Sequence, residues 1–77
     1  MVNPTVDLPL TQCFDPDTQG KVIYIGKAAP GSSKADAVWQ IQKLVYDANN
    51  AVTDIQWADG NARFDNIWNN RAALSYS

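Results

Sequence analysis

The stretch that decides the fold is residues 37–57, AVWQIQKLVYDANNAVTDIQW. Its two halves are rich in β-branched and aromatic residues, which favour strands. Between them, Asp47 suits the first position of a type I turn, and Asn50 suits the left-handed bulge position that follows it. The stretch therefore predicts a β-hairpin at the centre of the fold.

The same turn predicts a register for the hairpin. If Asp47 faces Ala51, one face of the hairpin is apolar and the other is polar. The apolar face then consists of Trp39, Ile41, Val45, Ile55 and Trp57. The polar face consists of Gln40, Gln42, Asp54 and Gln56. Leu44 and Tyr46 also fall on the polar face, where a neighbouring element or subunit could cover them.

Three further elements are predicted around the hairpin. Residues 22–26, VIYIG, are typical of a strand that is apolar on both faces. A helical spacing of apolar residues after a capping Asn61 predicts a short helix from Asn61 through Trp68. Residues 71–76 can add a final short strand. The expected fold class is mainly β, a small antiparallel sheet or sandwich with a central hairpin, one short helix near the C-terminus and an extended N-terminal arm.

The N-terminal arm is expected because the chain opens with a distinct pattern. Pro4 and Pro9 rule out a helix, yet apolar residues occupy every second position, which places them on one face of an extended chain. Prolines are poor members of a central strand, so the arm should be an edge strand or lie along a surface of its own domain or of a neighbour. We expect residues 1–20 to form this arm and a turn, and residues 21–77 to form one small β-rich domain. The residues expected to bind a partner are Val2, Val6, Leu8, Leu10 and Phe14.

Composition argues against several classes of function. The chain has no His, no Glu and a single Cys, so it lacks imidazole ligands, a side chain that titrates near neutrality, and the thiols of a zinc cluster or internal disulfide. A net charge of -2 argues against nucleic-acid binding, and no apolar run is long enough to span a membrane. We therefore expect no enzymatic activity, no cofactor, no metal, no signal peptide, and no nucleic-acid or membrane partner.

Other residues that suggest chemistry have plainer structural explanations. Residues 15–20, DPDTQG, match the first half of a calcium loop, but Gly26 stands where a bidentate acid belongs, so we expect a turn. Cys13 is expected to be a small buried hydrophobe. The three tryptophans could form a platform for carbohydrate, but so small a domain needs them in its core.

Four segments of the chain form a recognisable set: VWQI at 38–41, YDANNAVT at 46–53, WADG at 57–60 and FDNIWNNRAALSY at 64–76. They resemble short β-rich structural proteins of tailed-bacteriophage virions, and the similarity covers roughly residues 22–77. The resemblance implies a non-enzymatic, multi-copy role, with capsid decoration or cement as the first choice, since such proteins commonly bridge capsomers with extended arms. A fibre, neck or tail component is the alternative, and a small carbohydrate-binding module is another.

The same resemblance implies where the protein acts and with what. The expected partners are copies of itself and a major capsid protein or other virion protein. The expected location is the virion, after synthesis in the host cytoplasm. No functional residue is carried over from the family, because the matched positions are those already explained by folding.

Overall fold

The structure is a computed structural model that describes residues 10–77. It consists of an antiparallel β-sheet followed by a short C-terminal segment. The strands are β1 (Thr11–Pro16), β2 (Val22–Ala28), β3 (Ala37–Tyr46), β4 (Val52–Trp57) and β5 (Asn66–Ile67), and a 3₁₀ helix spans Trp68–Ala73. The predicted fold class is confirmed: the chain is mainly β, with one short helix near its C-terminus.

The central strand of the sheet is β3, which is also the longest. The first four strands lie side by side in chain order, and each is antiparallel to the next. On the side of β3 away from β2, β4 pairs with the second half of the strand, and β5 pairs with its beginning. The predicted central hairpin is therefore β3 and β4.

The turn of this hairpin has the predicted geometry. The carboxylate Oδ1 of Asp47 accepts hydrogen bonds from the backbone amides of Asn49 (2.8 Å) and Ala51 (3.0 Å). Asn50 adopts a φ of 64°, which is the left-handed conformation expected of the bulge residue. The carboxylate of Asp47 thus accepts hydrogen bonds from backbone amides in the tight turn, in place of backbone carbonyls.

The turn between β1 and β2 repeats this arrangement. Oδ1 of Asp17 accepts hydrogen bonds from the amides of Gln19 (2.8 Å) and Lys21 (2.9 Å), and Gly20 takes the left-handed position with a φ of 87°. The hydrogen bond from the Lys21 amide is the largest of the effects that lower the pKa of the Asp17 carboxyl. The residues that match half a calcium loop therefore form a turn, as predicted. The two turns are joined because Nζ of Lys21 donates to Oδ1 of Asn50 at 2.9 Å.

The register of the β3–β4 hairpin differs from the prediction by one residue. The backbone amide of Asp47 donates to the carbonyl of Ala51, so the turn closes as expected. The pairing then shifts between Val45 and Tyr46, and Val45 pairs with Asp54 instead of Thr53. A β-bulge of this kind adds one residue to one strand and leaves the turn intact.

The slip moves two large side chains to the other side of the sheet. Side chains alternate along a strand, so a shift of one residue exchanges the faces of all residues beyond it. Ile55 pairs with Leu44, and Trp57 pairs with Gln42. The prediction that Ile55 and Trp57 share a face with Trp39 is therefore wrong.

One face of the sheet packs against the 3₁₀ helix and the C-terminal residues, and we call it the covered face. The buried apolar residues, all at most 4% exposed, are Ala28, Trp39, Ile41, Ala58 and Trp68. The rings of Trp39 and Trp68 lie 6.0 Å apart between centroids, and they stack over Gly26 of β2. A Cβ atom at Gly26 would lie 2.5 Å from Cε3 of Trp68, so only glycine allows this approach.

The C-terminal segment is fastened to the covered face by polar contacts. Nε of Arg71 donates to Oδ2 of Asp15 in β1 at 2.7 Å, and the guanidinium lies 4.6 Å from the Trp68 ring centroid. The hydroxyl of Tyr76 donates to the carbonyl of Arg71 at 2.7 Å, and its ring packs 5.5 Å from that of Tyr24. Burial of this phenol raises the pKa of Tyr76.

The predicted helix from Asn61 through Trp68 is wrong in position. Oδ1 of Asn61 accepts from the amide of Arg63 at 3.0 Å, which closes a local turn in place of a helix cap. Phe64 is 46% exposed, so it does not supply the apolar face that a helix there would bury. The 3₁₀ helix begins at Trp68, where the predicted helix ends. The predicted final strand is reduced to a single bridge between Ala58 and Tyr76.

Candidate functional site

The side of the sheet opposite the covered face carries no element among the described residues, and we call it the open face. At one end this face is polar. Gln12, Lys27 and Gln40 pair across β1, β2 and β3 to form a polar row. Gln40 also reaches the loop after β4, since its Nε2 donates to the carbonyl of Ala62 at 2.9 Å.

The rest of the open face is apolar apart from one glutamine. The next row across the four strands consists of Phe14, Ile25, Gln42 and Trp57. The rows beyond it bring together Ile23, Leu44, Ile55, Tyr46 and Val52, as the pairings of β3 with β4 and the alternation along β2 require. Gln42 is therefore the one polar residue in an apolar surface that extends over all four long strands.

Much of this surface is accessible to solvent. Phe14 is 55% exposed, Ile55 is 53% exposed and Val52 is 50% exposed, whereas Trp39 on the covered face is 1% exposed. With strands about 4.8 Å apart and same-face residues about 6.6 Å apart, the nine residues of these rows have a footprint of about 300 Å². Contiguous apolar patches of about this size are often functional on soluble proteins.

Charge on the open face of the described residues lies at its two ends. Lys27 belongs to the polar row at one end, and at the other end Nζ of Lys21 lies 5.0 Å from the ring centroid of Tyr46. Asp15 and Lys43 project to the covered face, where they contact Arg71 and the Tyr76 ring. The open face is therefore suited to an apolar partner and offers little to a strongly charged one.

The residues predicted to bind a partner lie at the edge of this face or outside the described residues. Leu10 precedes β1 and is 41% exposed, and Phe14 lies on the open face of β1. Val2, Val6 and Leu8 lie outside residues 10–77. The described part of the predicted arm includes strand β1, which pairs along its length with β2 and stands at the edge of the sheet.

Cys13 and the tryptophans divide between the two faces. Cys13 is half-buried and packs against the core, as expected of a small hydrophobe. Trp39 and Trp68 are core residues, in agreement with the sequence argument. Trp57 instead lies on the open face and is only half-buried.

The apolar residues of the open face were not singled out as a surface by sequence reasoning. These are Ile23, Ile25, Leu44, Ile55 and Trp57. A signal was present, because the predicted register left Leu44 and Tyr46 on the polar face without a partner. The bulge that resolves this conflict brings Ile55 opposite Leu44.

Within residues 10–77 there is no cluster of three metal-ligating acidic, Cys or His side chains and no detectable pocket. No helix in the same range is long and apolar enough to cross a membrane. In comparisons with known proteins, no family model, curated protein or solved structure matches the chain.

Proposed function

We propose that the protein is a non-enzymatic structural component of a tailed-phage particle, which acts in many copies as a capsid decoration or cement protein. The observation that carries the proposal is the exposed apolar surface beside the edge strand β1. Leu10 and Phe14 are two of the largest exposed apolar side chains of the described chain, and both belong to the predicted partner-binding set. Apolar surface of this kind favours association.

The proposed mechanism is passive burial. Val2, Val6, Leu8 and Leu10 recur at even positions, and a partner that binds an extended chain along one side would bury all four. Removing their surface from water contributes about 25 cal/mol per Å² before the ordering costs of association are subtracted. Because β1 stands at the edge of the sheet, its outer backbone groups can also pair with a strand of a neighbouring subunit.

The proposal is tested on purified particles of the tailed phage whose genome encodes this chain. Particles that lack the gene product should lose DNA at a lower temperature than complete particles, and added recombinant protein should cosediment with them and restore the higher temperature. Cryo-electron microscopy of the reconstituted particles should place the added density on the capsid shell. Absence of the protein from purified particles would refute the proposal, and density on a fibre, neck or tail would favour the alternative role.

A matched pair of variants tests the residues involved. Leu8→Asp with Leu10→Asp should keep the near-ultraviolet circular dichroism of the domain and lose cosedimentation with the particles. Asn3→Asp with Thr5→Asp adds the same charge at odd positions of the same segment and should retain binding. Loss of the native dichroism in the first variant would show that these leucines belong to the core of the domain and not to a partner contact.

One observation favours a carbohydrate-binding module as a second candidate. Trp57 and Phe14 lie in the same row of the open face, and flat aromatic rings on a sheet surface can stack on sugars. Trp39 and Trp68 are buried, so Trp57 is the tryptophan through which added oligosaccharide would change the fluorescence. Saturable protection of Trp57 from iodide by an oligosaccharide of the host cell surface would favour this module over the capsid role.

A further inference from the structure

We propose that the open face is the packing surface for a second copy of this chain, and that two sheets stack face to face with Gln42 of each copy on the two-fold axis. This inference rests on the proposed multi-copy role and specifies one contact within it. The surface concerned is the part of the open face on β2, β3 and β4, whose residues are Ile23, Ile25, Gln42, Leu44, Tyr46, Val52, Ile55 and Trp57. Phe14 on β1 lies beside this surface.

The first argument concerns the layers of the fold. A sheet with apolar residues on both sides needs a partner on both sides, and small domains are built from two or three packed layers. In this chain the C-terminal segment provides one layer through Trp68, Leu74 and Tyr76, which pack against the covered face. A second sheet stacked about 10 Å away would supply a layer on the side where residues 10–77 provide none, and would form a β-sandwich across the two copies.

The second argument is that the open face is complementary to itself. A two-fold axis parallel to β3 and above it places β2 of one copy over β4 of the other. Ile25 then faces Trp57 of the second copy, and Ile23 faces its Ile55. The polar row with Lys27 lies over the polar row of the partner, and the rows of Ile25 and Ile23 meet the corresponding apolar rows. In the last row, Val52 of one copy lies over the stem of Lys21 of the other.

Gln42 is the residue that favours a second copy over an unrelated partner. It pairs with Ile25 and Trp57 in the middle of an apolar row, so any partner that covers the face must satisfy its amide. A residue on a two-fold axis meets its own copy, and a glutamine amide both donates and accepts. Two facing Gln42 side chains can therefore satisfy each other.

Electrostatics permits this arrangement. Lys27 lies on β2 and Lys21 directly precedes that strand, so the axis above β3 places the two copies of each lysine on opposite sides of the axis. Two strand spacings sideways and about 10 Å between the sheets separate the copies of each lysine by about 14 Å, which exceeds the Debye length at physiological ionic strength. The stacked faces therefore bring no like charges into contact.

The area defines the expected strength of the dimer. The eight residues on three overlapping strands have a footprint of about 250 Å² on each copy, and the relief of the side chains increases the total buried area to on the order of 700 Å². This value lies below the range of stable specific complexes, so the free protein should form a weak, reversible dimer. We expect a dissociation constant on the order of 100 µM, and the contact then depends on further contacts in an assembly to be stable.

Sedimentation equilibrium of the full chain from about 1 µM to 1 mM tests the proposal. The average mass should rise from the 8.5 kDa of one chain toward twice that value as the concentration increases. Ile55→Asp should raise the dissociation constant at least about thirty-fold, as expected for a charge at the centre of an interface. Phe64→Asp introduces the same charge at a residue that is 46% exposed but is not one of the eight residues of the proposed contact, and it should change the constant less than about three-fold.

Substitutions of Gln42 test the position of the axis. Gln42→Glu places two carboxylates against each other and should abolish the dimer at neutral pH, whereas Gln42→Leu should retain or strengthen it. Both variants should unfold at the temperature of the monomeric wild type, since the side chain lies on the outer side of the sheet. Equal affinity of the Glu and wild-type proteins would overturn the placement of Gln42 on the axis.

The remaining outcomes distinguish other occupants of the face. If the full chain stays monomeric up to 1 mM, the inference is overturned. If Leu8→Asp abolishes the dimer as fully as Ile55→Asp, the N-terminal segment and not a second sheet occupies the face. If the Ile55→Asp variant cosediments with phage particles, the proposed function stands without the dimer. If the Leu8→Asp, Leu10→Asp protein dimerises but does not cosediment with the particles, the result bears on the proposed function alone.

Discussion

The two faces of one sheet differ in what covers them, although both are rich in apolar residues. On the covered face Trp39 and Ile41 are at most 1% exposed, because the C-terminal segment places Trp68 over them. On the open face Phe14 and Ile55 remain more than half exposed. Within residues 10–77, the chain therefore packs a segment against only one face of its sheet. The covered face contributes to folding stability, and the open face is available for association.

This comparison leads to a general expectation. Substitutions on the covered face should lower the free energy of unfolding, and those on the open face should weaken association while leaving the monomer folded. The two faces can be probed within the same strands, because neighbouring residues point to opposite sides.

The largest effect is expected from the paired truncations Trp39→Ala and Trp57→Ala. Trp39 is buried, and its Nε1 donates to the carbonyl of Ser33 at 2.9 Å, so its removal should cost about 3–5 kcal/mol and unfold so small a domain near room temperature. Trp57 is half-buried on the open face, and its removal should cost less than about 2 kcal/mol. Urea denaturation at about 1 µM, where the monomer dominates, measures both values. Equal losses would contradict the distinction between the faces.

A smaller loss is expected when the closest approach on the covered face is obstructed. Gly26→Ala places a methyl group 2.5 Å from Cε3 of Trp68 and should cost about 1–3 kcal/mol through overpacking. In a Trp68→Phe background the ring is smaller, so the same substitution should cost less than it does in the wild type. Thermal denaturation of the four proteins in this cycle gives the coupling. Independent, additive effects would show that the ring does not constrain the glycine.

The contact that fastens the C-terminal segment should contribute about 1–2 kcal/mol. Arg71→Gln removes the ion pair with Asp15 and the stacking on Trp68, which act together at a partly buried position. Lys21→Gln removes an ion pair to Asp17 at 3.9 Å and the hydrogen bond to Asn50 at 2.9 Å, both at the turns, and should cost about 1 kcal/mol. Urea denaturation in low and high salt compares them. A larger loss from Lys21 would indicate that the cover depends less on Arg71 than its geometry implies.

The smallest effect is expected at a turn that belongs to neither face. Gly20 has a φ of 87° and no atom within 4 Å of an added Cβ, so Gly20→Ala should cost about 1 kcal/mol through backbone strain alone. Asn tolerates this conformation better, and Gly20→Asn should therefore cost only a part of that amount. Melting temperatures of the two variants provide the test. A loss above that of Gly26→Ala would show that the turn and not the core limits stability.

Much of the fold was predictable because it depends on local chemistry. Asp47 and Asn50 indicated the hairpin turn, and both have the predicted role. The apolar strand at residues 22–26 forms most of β2. Such signals act over a few residues, so they can be found without knowledge of the rest of the fold.

The faces could not be assigned from the same signals. A bulge opposite Val45 and Tyr46 shifts the register of β4 by one residue. The alternation of residues 52–57 does not indicate this bulge, because the predicted and the observed registers both place apolar residues on each face of the hairpin. The predicted position of the helix, Asn61 through Trp68, was wrong for a related reason. Trp68, at the start of the 3₁₀ helix, packs on Gly26 of β2, and the local spacing around Phe64 does not contain this tertiary contact.

The candidate site was therefore predictable only at its edge. Leu10 and Phe14 were identified from the opening pattern of the chain, and both are exposed. The centre of the open face around Leu44 and Ile55 depends on the shifted register. Its existence was indicated only by apolar side chains that the predicted register placed on the polar side.

The most direct test of the claim that the open face packs against a second copy is an isotope-filtered nuclear Overhauser experiment. Labelled and unlabelled full chains are mixed at about 1 mM, where the expected dissociation constant makes the dimer dominant. The account predicts contacts between copies from the Ile25 methyl groups to the Trp57 ring and from those of Ile23 to Ile55. Contacts between copies that involve only β1 or the residues before it, or no contacts between copies at all, would contradict it.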